Sequence, residues 1–197
     1  MAFTYAPSGL VPVGTVASAD YNSALTKFFI EDGYAVDIGT NDPVGQNGGG
    51  IKIAVAGAAS VGSFQGVKYL GTDGMAKEQP NWVGGTNVRA MPETHGIALA
   101  VASVISDPNV VYSIQCDSAA GLTFPDLMNN ANFVIGAPDA SGRSTTALDL
   151  STSASTATLN LKIADLDNKP GNNFGTAYNY ALVTMNNHWR RAGVVGV

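Results

Sequence analysis

The chain has 197 residues, 45% of them hydrophobic and only 13% charged, with 23 Gly, one Cys and a formal net charge of −5. That length fits one large domain or two small ones, and a charged share well below the about 25% of an ordinary domain favours wide surfaces covered by neighbouring subunits. The acidic balance argues against a nucleic-acid partner, which needs clustered Lys and Arg, and no apolar run reaches the about 18 residues of a membrane span.

Residues 1–25 carry Pro7, Gly9, Pro12 and Gly14 without sustained periodicity and read as an extended N-terminal arm lying on something else. The first seven residues lack the charged and apolar regions of a secretory signal, so synthesis in a cytoplasm is expected. Residues 26–30 (TKFFI) predict a strand closed by the Asp32-Gly33 turn, with a second strand over 34–38. Asn41-Asp42-Pro43 and the glycine-rich loop Asn47-Gly48-Gly49-Gly50 precede a half-buried strand in 51–59, where Ile51, Ile53 and Val55 alternate with Lys52 and Ala54. Residues 64–70 predict another strand, and 75–92, holding two Pro and Trp82, an irregular surface loop.

Residues 97–105 (IALAVASVI) and 110–116 (VVYSIQC) are the strongest strand candidates and are expected to pair at the centre of a sheet through Ser106-Asp107-Pro108-Asn109. One short helix is expected within 122–134: Thr123 suits a cap, Pro125 a first turn, and Phe124, Leu127, Met128 and Ala131 recur at helical spacing. Residues 136–158, rich in Ser, Thr and Ala, read as a linker or polar edge. Alternating strands follow over 158–163 and 178–185, as a hairpin or its non-adjacent equivalent.

The resulting expectation is a mainly β fold, an antiparallel β-barrel or sandwich, with the extended arm at 1–25 and one short helix. The barrel or sandwich is assigned to 26–117 and a C-terminal β portion to 118–197, with a shared core left open. Short strands joined by tight turns favour antiparallel pairing.

The search for chemistry predicts no catalytic, cofactor-binding or metal residues. His95 and His188 are far apart and form no spaced ligand pair, so both read as loop or surface residues. Cys116, alone in the chain, has no disulfide partner and ends an apolar strand, which suits a packed thiol better than a nucleophile. Gly142-Arg143-Ser144 lacks the context of a serine hydrolase, and Asn47-Gly48-Gly49-Gly50 lacks the Lys of a phosphate loop. Asp165-x-Asp167-Asn168 opens like a calcium loop, yet Lys169 and Pro170 replace a ligand and the glycine. Trp82, Trp189 and the tyrosines suit core and interface packing better than a sugar-stacking surface.

Residues 107–115 (DPNVVYSIQ) resemble a run found in a family of structural proteins encoded among the virion genes of tailed bacteriophages. Further landmarks follow the family order: Gly9-Leu10-Val11-Pro12-Val13, Phe28-Phe29-Ile30, Asn41-Asp42-Pro43-Val44 and Phe64-Gln65-Gly66-Val67-Lys68-Tyr69. After these come Ser141-Gly142-Arg143-Ser144, 156–163 (TATLNLKI), 166–175 (LDNKPGNNFG) and Met185-Asn186-Asn187-His188. The spacing before Phe28 departs from the family pattern. The resemblance implies a non-enzymatic decoration or cement protein on the capsid surface of the virion, bound to the major capsid protein and self-associated as a trimer or dimer, with no cofactor, nucleic acid or membrane partner. The alternative is a receptor- or glycan-binding module of a head or tail fibre, suggested by the loops at Trp82 and at 47–50.

Overall fold

The computed structural model describes residues 3–16, 24–191 and 196. Its strands are β1 (Val11–Thr15), β2 (Thr26–Glu31), β3 (Pro43–Asn47), β4 (Gly50–Ile53), β5 (Ser60–Gly71), β6 (Ala76–Gln79) and β7 (Val88–Arg89). They continue with β8 (Leu99–Ile105), β9 (Val110–Gln115), β10 (Asn130–Val134), β11 (Ala147–Ala154), β12 (Leu161–Leu166) and β13 (Tyr180–Met185). The fold is mainly β: two antiparallel sheets pack together as a sandwich, and neither closes into a barrel.

The first sheet runs β2-β8-β5-β3-β4, with β6 and β7 added along β5. Its inward residues obey the period of two that a pleated strand imposes: Ala100, Ala102 and Val104 on β8 face Ile30, Val44, Ile51, Val61, Phe64 and Val67 in one buried cluster. The sheet curls until its end strands meet without a ladder between them, and a Cβ at Gly50 would sit 2.5 Å from the Phe29 carbonyl oxygen. Only glycine allows that approach.

The second sheet runs β1-β9-β13-β12-β10-β11. Val110, Tyr112 and Ile114 of β9 share a separate core with Ala181, Val183 and Met185 of β13, Leu161 and Ile163 of β12, and Phe133 and Leu148. Its other face is covered by the chain's own beginning. Gln115 donates from its amide to the carbonyls of Thr4 (2.9 Å) and Tyr178 (3.0 Å) and accepts the Ala6 N–H (2.8 Å). Phe3 and Tyr5 rest on Tyr180 and Tyr178 at ring distances of 5.4 and 5.2 Å. The described part of the expected arm thus lies on this chain's own second sheet and contributes its edge strand, β1. Residues 17–23 lie outside the described residues.

Several expectations are corrected. β8 and β9 do not pair: both flanks of β8 are taken by β2 and β5, and those of β9 by β1 and β13. Residues 106–109 therefore carry the chain from one sheet to the other, and 110–115 belong with the C-terminal strands. The helix expected within 122–134 is a single 3-10 turn, Phe124–Asp126. The Asp126 carboxylate accepts both the N–H and the hydroxyl of Thr123 (2.9 and 2.6 Å), Leu127 is already extended, and Ala131 and Phe133 enter the core as a strand. Sheet pairing of β10 with β11 and β12 overrides the helical spacing. Residues 34–38 form no strand, only a bridge from Ile38 to Trp82. The expected loop at 75–92 carries β6 and β7, and within 136–158, expected as a linker or polar edge, lies β11, the Ser- and Thr-bearing edge strand of the second sheet.

Candidate functional site

Three features stand out: a buried polar seam between the sheets, a closed polar cluster on the outer face of the second sheet, and an exposed aromatic ridge.

The seam centres on Asp42, in the turn before β3. Its side chain is fully buried. Oδ1 accepts hydrogen bonds from the hydroxyls of Ser144 and of Thr146 (2.8 Å), and Oδ2 accepts the Gly39 N–H (2.7 Å). Burial lifts this carboxyl above its ordinary range, while the bonds from Ser144, Gly39 and Thr146 pull it back. Gly9 passes directly over the pair with φ +72°, and a Cβ there would lie 2.5 Å from Ser144 Oγ. Asn160 extends the seam: its amide donates to the Ala58 carbonyl (2.6 Å) and to the Ser60 hydroxyl (2.9 Å), and its oxygen accepts the Gly57 N–H (2.6 Å). With its acceptor sites engaged, Asp42 holds Ser144 as a clamp between the sheets.

The outer cluster joins Ser113, Asp167, Lys169 and Tyr180. The Ser113 hydroxyl donates to Asp167 Oδ2 (2.5 Å), Lys169 Nζ reaches Ser113 Oγ and Asp167 Oδ2 at 2.9 Å each, and the ammonium sits 3.6 Å from the Tyr180 ring centroid. Asn172 braces this loop by donating to the Asp167 and Tyr180 carbonyls (2.6 and 2.8 Å). The segment that opens like a calcium loop therefore spends Asp167 on a lysine and a serine. Among the described residues no group of three His, Cys, Asp or Glu side chains could hold a metal ion.

The ridge is built by the 3-10 turn and the loop before β13. Phe124 is 71% exposed and Phe174 42%, and their rings meet edge to face with centroids 6.0 Å apart. Met128, in a left-handed conformation (φ 67°), adds a third exposed apolar side chain at 51%. Pro125, Leu127 and Ala164 line a shallow depression beside them. The loop carrying Phe174 is fixed to the turn: Gly175 N–H donates to the Leu122 carbonyl (2.9 Å), and Asn179 exchanges bonds with both backbone groups of Leu122 (2.8 and 3.1 Å). Adjoining exposed apolar side chains of this kind make the ridge a candidate contact surface.

The remaining sequence candidates fall elsewhere. Cys116 is wholly buried, and burial, with a smaller push from Asp117, raises its thiol to about 12, far from a reactive thiolate. His95 sits on an exposed turn, whereas His188, expected in a loop or at the surface, lies in the segment after β13 and is buried against β5. Trp82 lies in the first core and donates its indole N–H to the Tyr34 carbonyl (3.0 Å). Asp42 and Ser144 each stand out in sequence without a link between them, because Asp42 lies 102 residues from Ser144 and 104 from Thr146.

These features define a two-sheet antiparallel β protein with an exposed aromatic ridge. Comparison with family models, curated proteins and solved structures returns no match.

Proposed function

We propose that this chain is a non-enzymatic virion structural protein that binds and stabilises the capsid lattice of a tailed phage, as a decoration or cement protein. The observation that carries this reading is the Phe124–Phe174 ridge, an apolar surface held on a braced frame. Aromatic anchors on a rigid support bind at low entropic cost, since little ordering remains for the encounter. The low charged share and the ordered resemblance to virion structural proteins point the same way. The major capsid protein is the proposed partner, with self-association as a trimer or dimer at the capsid surface. The glycan-binding alternative loses its aromatic platform, because Trp82 is enclosed in the core.

The test is to quantify the protein in purified virions and to measure rebinding of recombinant protein to capsids that lack it. Stoichiometric occupancy is expected, and Phe124→Ser with Phe174→Ser should weaken rebinding by more than tenfold, about 1.4 kcal/mol, with an unchanged unfolding midpoint. Absence from virions, or equal rebinding by the ridge variant, would overturn the reading.

A further inference from the structure

We infer that residues 186–191 form a releasable strap across the two sheets, with His188 as its proton-sensitive contact. The inference is independent of the proposed capsid role.

The strap follows β13 of the second sheet and lies along the start of β5 in the first. Ser60 N–H donates to the Asn187 carbonyl and Trp189 N–H to the Ser60 carbonyl, both at 2.9 Å. Asn187 donates from its amide to the Thr158 carbonyl (3.2 Å), and the Trp189 ring stands edge-on to Phe28 at 5.9 Å. Between these anchors His188 is buried, with both ring nitrogens engaged. Nε2 lies 2.9 Å from the Val61 carbonyl, which only accepts, so Nε2 carries the hydrogen. Nδ1 faces the Arg190 N–H at 3.2 Å, which only donates, so Nδ1 must be bare.

One neutral tautomer therefore satisfies both partners, and a second proton would set one donor against another at Nδ1. The charged groups whose fields reach the ring are Arg190 and Arg191 on the strap, which oppose a positive imidazole, and Asp107 on the crossing between sheets, which favours it. From β5, Ser60 and Val61 meet the strap with neutral backbone groups. Burial, the largest influence, also disfavours the charged form and moves the group below its ordinary 6.5. The sign follows: the strap's contribution is complete above about 6.5 and is lost as pH falls through the lower folded value. The strap is also imperfectly satisfied, since the buried indole N–H of Trp189 has no hydrogen-bond partner among the described residues.

The test is NMR of the full chain from pH 8 to pH 4.5. The imidazole nitrogens of His188 are followed beside the Trp189 indole and the amides of 187 and 189; the chain's other histidine, His95, gives a separate signal from an exposed turn. Expected are the Nε2–H tautomer at neutral pH, a His188 midpoint below 6.5, and loss of amide protection at 187 and 189 with that same midpoint while Trp82 is unmoved. His188→Gln, whose amide still donates but does not titrate, should retain the strap at pH 8 and abolish its pH dependence. An Nδ1–H tautomer, protected strap amides through the His188 titration, or an unchanged pH dependence in His188→Gln would each overturn the inference. Should the variant fail to fold, the tautomer and the paired midpoints in the unaltered chain still decide it.

Discussion

Asp42 shows what a buried carboxylate contributes when it ties a local turn to a sequence-distant segment. Its oxygens hold the Ser144 and Thr146 hydroxyls and the Gly39 N–H away from water. Asp42→Ala strands all three donors, and each buried unsatisfied group costs about 1–3 kcal/mol, so urea unfolding should show a loss of at least about 3 kcal/mol. Asp42→Asn keeps an acceptor for the two hydroxyls and should lose less. The pH dependence separates them further. Because the folded carboxyl is raised above 3.8 by burial, native Asp42 resists ionisation: its contribution is full below that value and declines as pH rises through the folded one. The stability of the unaltered chain relative to Asp42→Asn should therefore fall between pH 3 and pH 7, an unfolding series at fixed ionic strength being the check. An Asp42 that gained stability over that range would contradict the burial argument.

At the scale of elements, Gly9 is where the N-terminal segment turns onto the seam before β1. Its positive φ disfavours a side chain by about 1–2 kcal/mol, and a Cβ would also meet Ser144. Gly9→Ala should lower stability by more than about 2 kcal/mol and raise amide exchange in β1 (Val11–Thr15) above that in β8, measured by hydrogen–deuterium exchange. The strands that announced themselves in sequence are those with alternating apolar residues and a filled core face: β2, β4, β5, β8, β9, β12 and β13. The elements that did not are set by pairing with distant segments. β1 contains Pro12 and reads as coil, yet β9 supplies its ladder; β11 is rich in Ser and Thr, yet Ala147 and Leu148 pair with Val134 and Phe133. The apparent helix arose because Phe124, Leu127, Met128 and Ala131 share a spacing by accident of position: Phe124 and Met128 point to solvent while Ala131 enters the core. No local pattern reveals that difference, nor the seam, whose Asp42 and Ser144 meet only when the sheets dock.

At the scale of the molecule, two apolar cores meet at a junction that carries the polar seam, with Ile105 of β8 and Ala54 reaching from the first sheet's side into the second core. Hydrogen bonds are directional and lose strength steeply with misalignment, so such a junction favours one relative placement of the sheets. It also makes cooperativity between the cores depend on a few residues. Trp82 reports on the first core, and Cys116, whose raised thiol pKa and full burial keep it inert while folded, reports on the second. In a Trp189→Phe background, Trp82 emission and Cys116 labelling by a thiol reagent should give one coincident urea midpoint, the signature of a two-state transition. Asp42→Ala in that background cuts the seam without touching either core and should split the two midpoints, with a lower apparent slope for each, because each step then exposes only part of the surface. Coincident midpoints after the substitution would mean that apolar contact alone couples the sheets, and the polar seam would be an orienting device without a share in cooperativity.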